Sequence, residues 1–175
     1  EDNNVELLLK INTAYNPQNN MFQTDLNSIG ITPDMAKNIN FIAQNIDYND
    51  LPQLYKQGDI FVSPTMGDAF NLPCIEAMAC GLPVITTNFG GQVDYVDKEN
   101  GYLIDYELID VTWDLMYENN KWAMPNLQHL QQTMRYCTTN REKVQNQGIL
   151  ALNKAQQYTW DNSAKQLLNL INELN

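Results

Sequence analysis

The residues best suited to chemistry stand together in the middle of the chain. Two carboxylates, Asp68 and Glu76, flank a short loop and the start of a helix predicted from about Pro73. The amide groups and the dipole at a helix start favour an anion such as a diphosphate. A carboxylate beside bound phosphate would be repelled unless it faced hydroxyl groups. The spacing therefore indicates that Asp68 and Glu76 face sugar or ribose hydroxyls.

The amides expected to be free at this helix start are those of Asn71, Leu72 and Cys74. The small residues Ala77, Ala79 and Gly81 are predicted to let the helix approach the sheet closely. On the pattern alone, an ordinary strand–loop–helix unit with capping acids explains the same residues more simply. The choice between a ligand site and a packing unit needs further observations.

The elements that must position this segment alternate between apolar runs and helical patterns. Asp50 is predicted to cap a helix that ends at a left-handed Gly58, and a second helix is predicted from Pro73 to Cys80. This alternation predicts an α/β fold with a Rossmann-like, doubly wound parallel sheet, in which ligands bind beyond the carboxyl ends of the strands. The predicted strands are Val5–Ile11, Ile39–Ala43, Asp59–Val62, Val84–Thr86 and Gly101–Ile104. The first has the pattern of a strand covered on both faces.

The rest of the chain is predicted to form C-terminal helices after a long loop. Val111–Pro125 lacks a regular pattern and is interpreted as that loop. Neither an internal repeat nor a linker is found, so residues 1–175 are predicted to form one domain. Two helical stripes are recognised: Leu127, Leu130, Met134 and Cys137, and then, after Trp160, Ala164, Leu167, Leu168, Ile171 and Leu174. The second is expected to pack on this domain, with docking of a partner as the alternative.

Composition excludes several classes of protein. The 175 residues include 21 acidic and 10 basic side chains, for a net charge of −11, which argues against binding nucleic-acid polymers or anionic membranes. No apolar run could span a bilayer and no signal peptide is recognised, so a cytoplasmic location is predicted. The three cysteines are interpreted as buried, reduced thiols. One histidine, His129, and scattered cysteines offer no metal site.

The segment from Asp68 to Ile85 resembles the donor-site signature of retaining GT-B glycosyltransferases of family 4, or group 1. That signature is usually written E-G-F-G-L-P-x-x-E-A-M-A-x-G-x-P-V-I, and seven residues separate its two glutamates, as they separate Asp68 from Glu76. The resemblance runs from Val5 to the end of the chain. It also includes Leu51–Val62 (the preceding helix and strand), Gly90–Asp94 (G-G-x-x-E), Lys121–Pro125, and Tyr158–Asp161 at the opening of the last helix.

The resemblance implies a role for individual residues. Glu76 would hold the ribose hydroxyls of the nucleotide, and Asp68 would be the catalytic-site carboxylate that contacts donor-sugar hydroxyls beside the anomeric carbon. The donor would be a nucleotide-diphosphate sugar, with no metal or other cofactor expected. The remaining donor-binding positions are Phe70, Asn71 and Leu72 through their amides, Gly90 and Gly91 along the crevice, and Asn45 and Ile46 near the base.

Three residues depart from the family pattern. Asp68 is one methylene shorter than the usual Glu, and Ala69 and Asn71 stand where glycine is usual. Asn tolerates a left-handed backbone and Ala does so poorly, so the loop is expected to follow a slightly different path.

These departures leave two functions open. The intact protein is either a retaining glycosyltransferase or a non-catalytic module that binds a nucleotide sugar or a partner. A hydrolase using the two carboxylates is weaker, because the helix start between them suits phosphate better than a glycosidic bond.

The chain also lacks two cations that the family places on the diphosphate. In the family an Arg and a Lys lie ahead of the strand that Val5–Ile11 resembles, and this chain has no Arg before Arg135. The resemblance implies that the pair, and an N-terminal acceptor lobe, precede Glu1. The chain is therefore expected to be a fragment of a longer two-lobed enzyme, which could sit at a membrane through that lobe. Alone, it is expected to bind donor weakly and to transfer no sugar.

Overall fold

The computed structural model of the chain describes residues 5–11, 28, 30–112 and 119–174. The chain divides into two compact units, residues 1–51 and residues 52–175. Whether residues 1–175 act as one domain stays a prediction. In the described ranges, no helix is long and apolar enough to cross a membrane.

The first unit contains a two-stranded parallel sheet. Strand β1 (Leu7–Lys10) pairs with β2 (Ile39–Ile42), and helix α1 (Pro33–Ala36) precedes β2. The prediction that the first strand is covered on both faces is wrong, since Leu7 is 40% exposed. In the described part of this unit, two four-residue strands and short helical segments supply too little apolar surface to cover both faces.

The next helical segment begins at a different residue from the one predicted. A 3₁₀ turn (Tyr48–Asp50) leads directly into helix α2 (Leu51–Tyr55), and the capping side chain is Asp47, which accepts a hydrogen bond from the Asn49 amide at 2.9 Å. The left-handed Gly58 is also a wrong prediction, because the described glycines with positive φ are at positions 30, 81 and 90. A Gly58 amide bond to the Tyr55 carbonyl, at 3.0 Å, ends the helix without that conformation.

The second unit is built on a three-stranded parallel sheet. Strand β4 (Val84–Thr87) lies between β3 (Phe61–Ser63) and β5 (Gly101–Ile104), and every residue of β4 is buried. Helix α3 (Leu72–Ala79) is the crossover from β3 to β4 that parallel pairing requires. The α/β fold with a parallel sheet and C-terminal helices is confirmed, and the loop after β3 lies at the carboxyl edge of the sheet.

A second long helix packs on α3, and no sequence pattern was assigned to it. Helix α5 (Arg141–Ala155) comes so close that a Cβ on Gly148 would lie 2.2 Å from the Gly81 carbonyl oxygen. Ala79 is exposed, so of the small residues predicted to approach the sheet, only Ala77 joins the core. The core of this region contains Cys74, Ala77, Met78, Leu82, Val84, Tyr95, Val96, Ala151 and Ala155.

The segment predicted as a long loop, Val111–Pro125, contains one strand of an antiparallel ribbon, and the other strand lies just before it. Strands β6 (Tyr106–Asp110) and β7 (Lys121–Pro125) pair throughout, whereas residues 113–118 lie outside the described residues. The Ala123 amide donates to the Met66 carbonyl at 2.8 Å. The ribbon is therefore tied to the loop that follows β3. The two strands are joined by residues 111–120, a connection longer than the short turns that mark a hairpin in a sequence, so no turn signal predicted the pairing.

The last helices form where they were predicted, but their apolar stripes are less buried. Helix α4 (Leu127–Thr139) buries Thr133 and Cys137 and leaves Leu127 64% exposed. Helix α6 (Trp160–Glu173) exposes Leu167 and Leu168 by 59% and 58%. The expectation that the α6 stripe packs on this domain is wrong in this chain, because amphipathic spacing predicts a helix without fixing what covers it.

Candidate functional site

The loop after β3 is closed by the carboxylate of Asp68. Its Oδ1 accepts hydrogen bonds from the Phe70 amide at 2.9 Å and from the Asn71 amide. Hydrogen bonds to a charged acceptor are stronger than neutral ones. The Asp68 side chain is nevertheless exposed at the surface. Two of the amides predicted to bind a donor are thus engaged within the loop itself.

Asn71 joins the loop to α3 in the left-handed conformation. It has φ 61° and ψ 65°, is 2% exposed, and its Nδ2 donates to Ser63 Oγ at 3.3 Å. Among described residues other than glycine, only Asn71 and Asn119 have positive φ. The expectation that Asn71 tolerates this conformation is confirmed, and Ala69 adopts an ordinary one.

The amides at the start of α3 are less available than predicted. The Cys74 amide donates to the Asn71 carbonyl at 3.0 Å, so the expectation of free amides is wrong for Asn71 and Cys74. The Leu72 amide makes no hydrogen bond within the described part of the chain. It stands at the first position of the helix, where the dipole favours an anion.

Tyr95 contacts the same loop from its buried side, and the sequence did not predict this role. Its hydroxyl donates to the Phe70 carbonyl at 2.6 Å and to the Asn71 carbonyl at 2.9 Å, and the residue is 1% exposed. Burial raises the pKa of Tyr95 well above its ordinary value, so the hydroxyl stays a donor. The Phe70 ring packs against that of Tyr95, with centroids 5.3 Å apart.

The turn after β4 packs against the loop after β3 through main-chain atoms. Gly90 has φ +92°, and the Gly91 amide donates to the Asp68 carbonyl at 3.2 Å. A Cβ on Gly91 would lie 2.0 Å from the Ala69 carbonyl oxygen, and one on Gly90 would lie 2.5 Å from that of Asp68. Only glycine fits at this contact. The structure therefore brings Gly90 and Gly91 together with the loop from Asp68 to Asn71.

Glu76 is held in a different way, by a side chain from another helix. It lies one turn into α3, half-buried, and its Oε2 accepts a hydrogen bond from the Tyr55 hydroxyl at 2.9 Å. Burial, followed by this bond to Glu76, raises the pKa of Tyr55 far above its ordinary value. Tyr55 was predicted only as an apolar position of its helix. Helical spacing alone gives no sign of this partner.

The cysteines of this unit are free thiols without a nucleophile's environment. Cys74 is buried beneath the loop, and burial raises its pKa to about 11, although hydrogen bonds with Thr86 and Ser63 act in the opposite direction. Cys137 is buried and Cys80 half-buried, and burial also raises the pKa of both. The prediction of reduced thiols is confirmed, with Cys80 less buried than expected.

The remaining predicted residues fall into two groups. Phe70 and Leu72 stay on the surface of the site, 37% and 61% exposed. Asn45 and Ile46 belong to the first unit, where Asn45 is exposed and Ile46 half-exposed, and their role stays a prediction. Within the described ranges, no three His, Cys, Asp or Glu side chains are grouped to hold a metal ion.

His129 lies at a corner between the ribbon and α4, where it has a structural role. Its Nδ1 accepts a hydrogen bond from the Asp105 amide at 3.2 Å and lies 3.0 Å from Asp105 Oδ2. Asn126 caps α4 by accepting a hydrogen bond from the His129 amide at 2.9 Å. These contacts agree with the absence of His129 from the predicted site.

Comparison with known proteins connects this geometry with one class of enzyme. Residues 34–112 match the family described as glycosyl transferases group 1. Sucrose synthase of Nitrosomonas europaea is 28% identical over 142 residues, which cover 78% of this chain and 16% of that protein. O-antigen chain mannosyltransferase B of Escherichia coli is 31% identical over 121 residues, covering 69% of this chain and 26% of that protein.

Solved structures share the fold over almost the whole chain. Sucrose-phosphate synthase from Thermosynechococcus elongatus superposes with a TM-score of 0.70 at 22% identity, over 97% of this chain and 38% of that chain. HepE from Anabaena, solved with UDP-glucose, gives a TM-score of 0.67 at 19% identity, over 97% and 41%. These likenesses establish the fold, which is that of one lobe of a GT-B glycosyltransferase.

The segment from residue 34 to residue 112 is thus the part of the chain that matches the group 1 glycosyl transferases. It includes the loop from Asp68 to Asn71, helix α3 and the Gly90–Gly91 turn. The two curated relatives described above are matched over only 16% and 26% of their own lengths. What the whole protein does is consequently a matter for proposal.

Proposed function

We propose that this chain is the donor-binding domain of a retaining glycosyltransferase. In the intact protein it would bind a nucleotide-diphosphate sugar, and the sugar would be transferred to the hydroxyl of an acceptor bound by an N-terminal lobe. The observation that carries the proposal is that the Asp68 loop, the start of α3 and the glycine turn meet at the carboxyl edge of the parallel sheet, with Glu76 one turn into the same helix. The HepE structures with UDP and with UDP-glucose support a nucleotide sugar as the ligand class.

Each side chain of the site has a role in this proposal. The diphosphate lies at the start of α3, near the Leu72 amide, where the helix dipole stabilises its charge. Glu76 accepts hydrogen bonds from the ribose hydroxyls. Asp68 uses Oδ1 to hold the loop, so Oδ2 contacts the donor sugar. The other proposed donor-binding residues are Phe70, Asn71, Gly90 and Gly91, with Asn45 and Ile46 near the base.

The proposed reaction proceeds with retention of configuration. The diphosphate leaves from the face that the acceptor hydroxyl attacks, and helps to take the hydroxyl proton. The protein contributes electrostatic stabilisation of the leaving group, through the helix start and the loop. No metal ion is part of this proposal. A cytoplasmic location, with association at a membrane through the other lobe, belongs to it as well.

Calorimetry on the 175-residue chain tests the proposal directly. We expect weak binding of at least one of UDP-glucose, ADP-glucose and GDP-mannose, and a loss of at least about tenfold in Glu76→Ala because a charged hydrogen-bond acceptor is removed. Glu99→Ala, which removes an exposed carboxylate from a turn, is the matched control and should bind normally. Unchanged binding in Glu76→Ala would remove Glu76 from the site. Absence of binding by all three donors would count against the proposal.

One observation favours a second candidate, a non-catalytic nucleotide-sugar or partner-binding module. The shortened carboxylate at position 68 is engaged with the amides of Phe70 and Asn71, which the family uses for the donor. A sugar-transfer assay on the intact protein, with wild type and Asp68→Glu, separates the two candidates. Transfer by the wild type would reject the binding module. Transfer only by Asp68→Glu would support it.

A further inference from the structure

The hydrogen bond between Tyr55 and Glu76 joins two elements that are separate in the sequence. Tyr55 ends α2 and Glu76 lies within α3, yet the Tyr55 hydroxyl reaches Glu76 Oε2 at 2.9 Å. Glu76 Oε1 has no hydrogen bond among the described residues. One oxygen of this carboxylate is therefore fixed by the protein, and the other is available to a ligand.

Tyr55 is well suited to hold a carboxylate still. Its ring packs edge-on against that of Phe61 in β3, with centroids 5.7 Å apart and planes at 72°. A glutamate side chain has three rotatable bonds, and ordering it costs conformational entropy. A hydrogen bond made before the ligand arrives removes part of that cost from binding.

We propose that Tyr55 is a positioning residue for nucleotide recognition, which holds Glu76 Oε2 so that Oε1 meets a ribose hydroxyl. This inference rests on the proposed function, because it assumes that Glu76 binds the ribose. Tyr55 itself does not touch the nucleotide in this arrangement. Its effect is therefore specific to ligands that carry the ribose hydroxyl.

Preference for a ribonucleotide over its deoxy counterparts measures this role. Tyr55→Phe keeps the ring and its packing on Phe61 but removes the hydroxyl. We expect the preference for UDP, ADP or GDP over the 2′-deoxy or 3′-deoxy form to fall about fivefold to tenfold, the scale of one hydrogen bond to a charged group. A loss of stability alone would weaken both forms equally and leave the preference unchanged.

The experiment compares four forms of the 175-residue chain by calorimetry with these nucleotides. They are wild type, Tyr55→Phe, Glu76→Ala and the double variant, with Tyr136→Phe as a control that loses a hydrogen bond from Lys143 on another helix. We expect wild type and Tyr136→Phe to prefer the ribonucleotide and Glu76→Ala to lose the preference. In the Glu76→Ala background, Tyr55→Phe should have no further effect.

Two results would overturn the proposal, and they differ from each other. If Glu76→Ala loses the preference and Tyr55→Phe keeps it in full, Tyr55 has no positioning role while the proposed function stands. If wild type binds none of the nucleotides, or binds ribose and deoxyribose forms equally, the proposed function of Glu76 fails and this inference fails with it.

Discussion

Asp68 and Glu76 occupy corresponding places on the two sides of the α3 start, but the protein holds them by different means. Asp68 lies in a loop where its carboxylate accepts hydrogen bonds from two main-chain amides, and the glycine turn packs against its carbonyl group. Glu76 is half-buried on a helix and is held by one hydroxyl group from Tyr55.

This difference shows which substitutions each side tolerates. The loop side is held by main-chain contact with the glycine turn and by the side chains of Asp68 and Tyr95, so several contacts share the load. Ala69 and Asn71 stand where the family signature has glycine, and Asn71 adopts the left-handed conformation. The helix side depends on a single donor atom. A change of one hydroxyl group there alters the carboxylate without altering the fold.

The largest expected effect is on the loop side, in Gly91→Ala. The new Cβ would lie 2.0 Å from the Ala69 carbonyl oxygen, so the loop or the turn must move. We expect a loss of about 3 kcal/mol in the free energy of unfolding, measured by urea denaturation. Gly67→Ala, where a Cβ meets nothing within 4 Å, is the control and should change stability little. Equal stability of the two variants would show that the loop is not fixed by main-chain contact.

Tyr95→Phe should follow in size, because it removes a buried hydroxyl that donates to two carbonyls of the loop. The carbonyls of Phe70 and Asn71 would lose a buried donor, at a cost of about 2 kcal/mol in unfolding free energy. Tyr158→Phe, which loses a more exposed bond to the Asp94 carbonyl at 3.0 Å, should cost about 0.5 kcal/mol. If the Tyr158 variant proves the more damaging, the loop is supported elsewhere.

A smaller effect is expected from the backbone conformation of Asn71. Asn71→Ala places an ordinary side chain at φ 61° and removes the bond to Ser63, so we expect a loss of about 1 to 2 kcal/mol. Asn71→Gly also loses that bond but adopts this φ freely, and should cost less. Thermal and urea unfolding of the two variants test the order. The reverse order would mean that the Ser63 bond and chain entropy outweigh the strain.

The smallest effect concerns Cys74, which lies between the two carboxylates in the sequence. Its folded pKa of about 11 is above that of the unfolded thiol, so its contribution to stability is full below pH 9 and is lost as the pH rises through 11. At pH 9.5 the loss from this group should be about 1 kcal/mol. Unfolding free energies at pH 8 and pH 9.5 should therefore fall less steeply in Cys74→Ala. Identical slopes would mean that the thiol is not desolvated.

Sequence patterns predicted the parts of this fold that depend on local chemistry. Apolar runs located the five strands that alternate with helices, and α3 begins within one residue of the predicted Pro73. The left-handed Asn71 follows from the tolerance of asparagine for that conformation. The ribbon of β6 and β7 was missed, because the ten residues that join its strands carry no short turn signal of a hairpin.

The candidate site was predictable in its residues but not in its contacts. Asp68 and the two glycines are in contact, and Glu76 lies one turn into the helix that follows, as expected from the spacing; their role in binding a donor stays a prediction. Nothing in the sequence indicated that Asp68 would bond the loop amides, that Tyr95 would lie beneath them, or that Tyr55 would reach Glu76. Those contacts depend on how closely the helices and strands pack together. The periodicity of hydrophobic residues does not determine that distance.

The contact between Gly91 and the Ala69 carbonyl also limits how the length of this loop can change. It depends on where peptide units lie and not on which side chains they carry, so it constrains the length of the loop more than its identity. An insertion or deletion next to Ala69 would shift the peptide unit that faces the turn, whereas a substitution that keeps the required φ would leave that peptide unit in place.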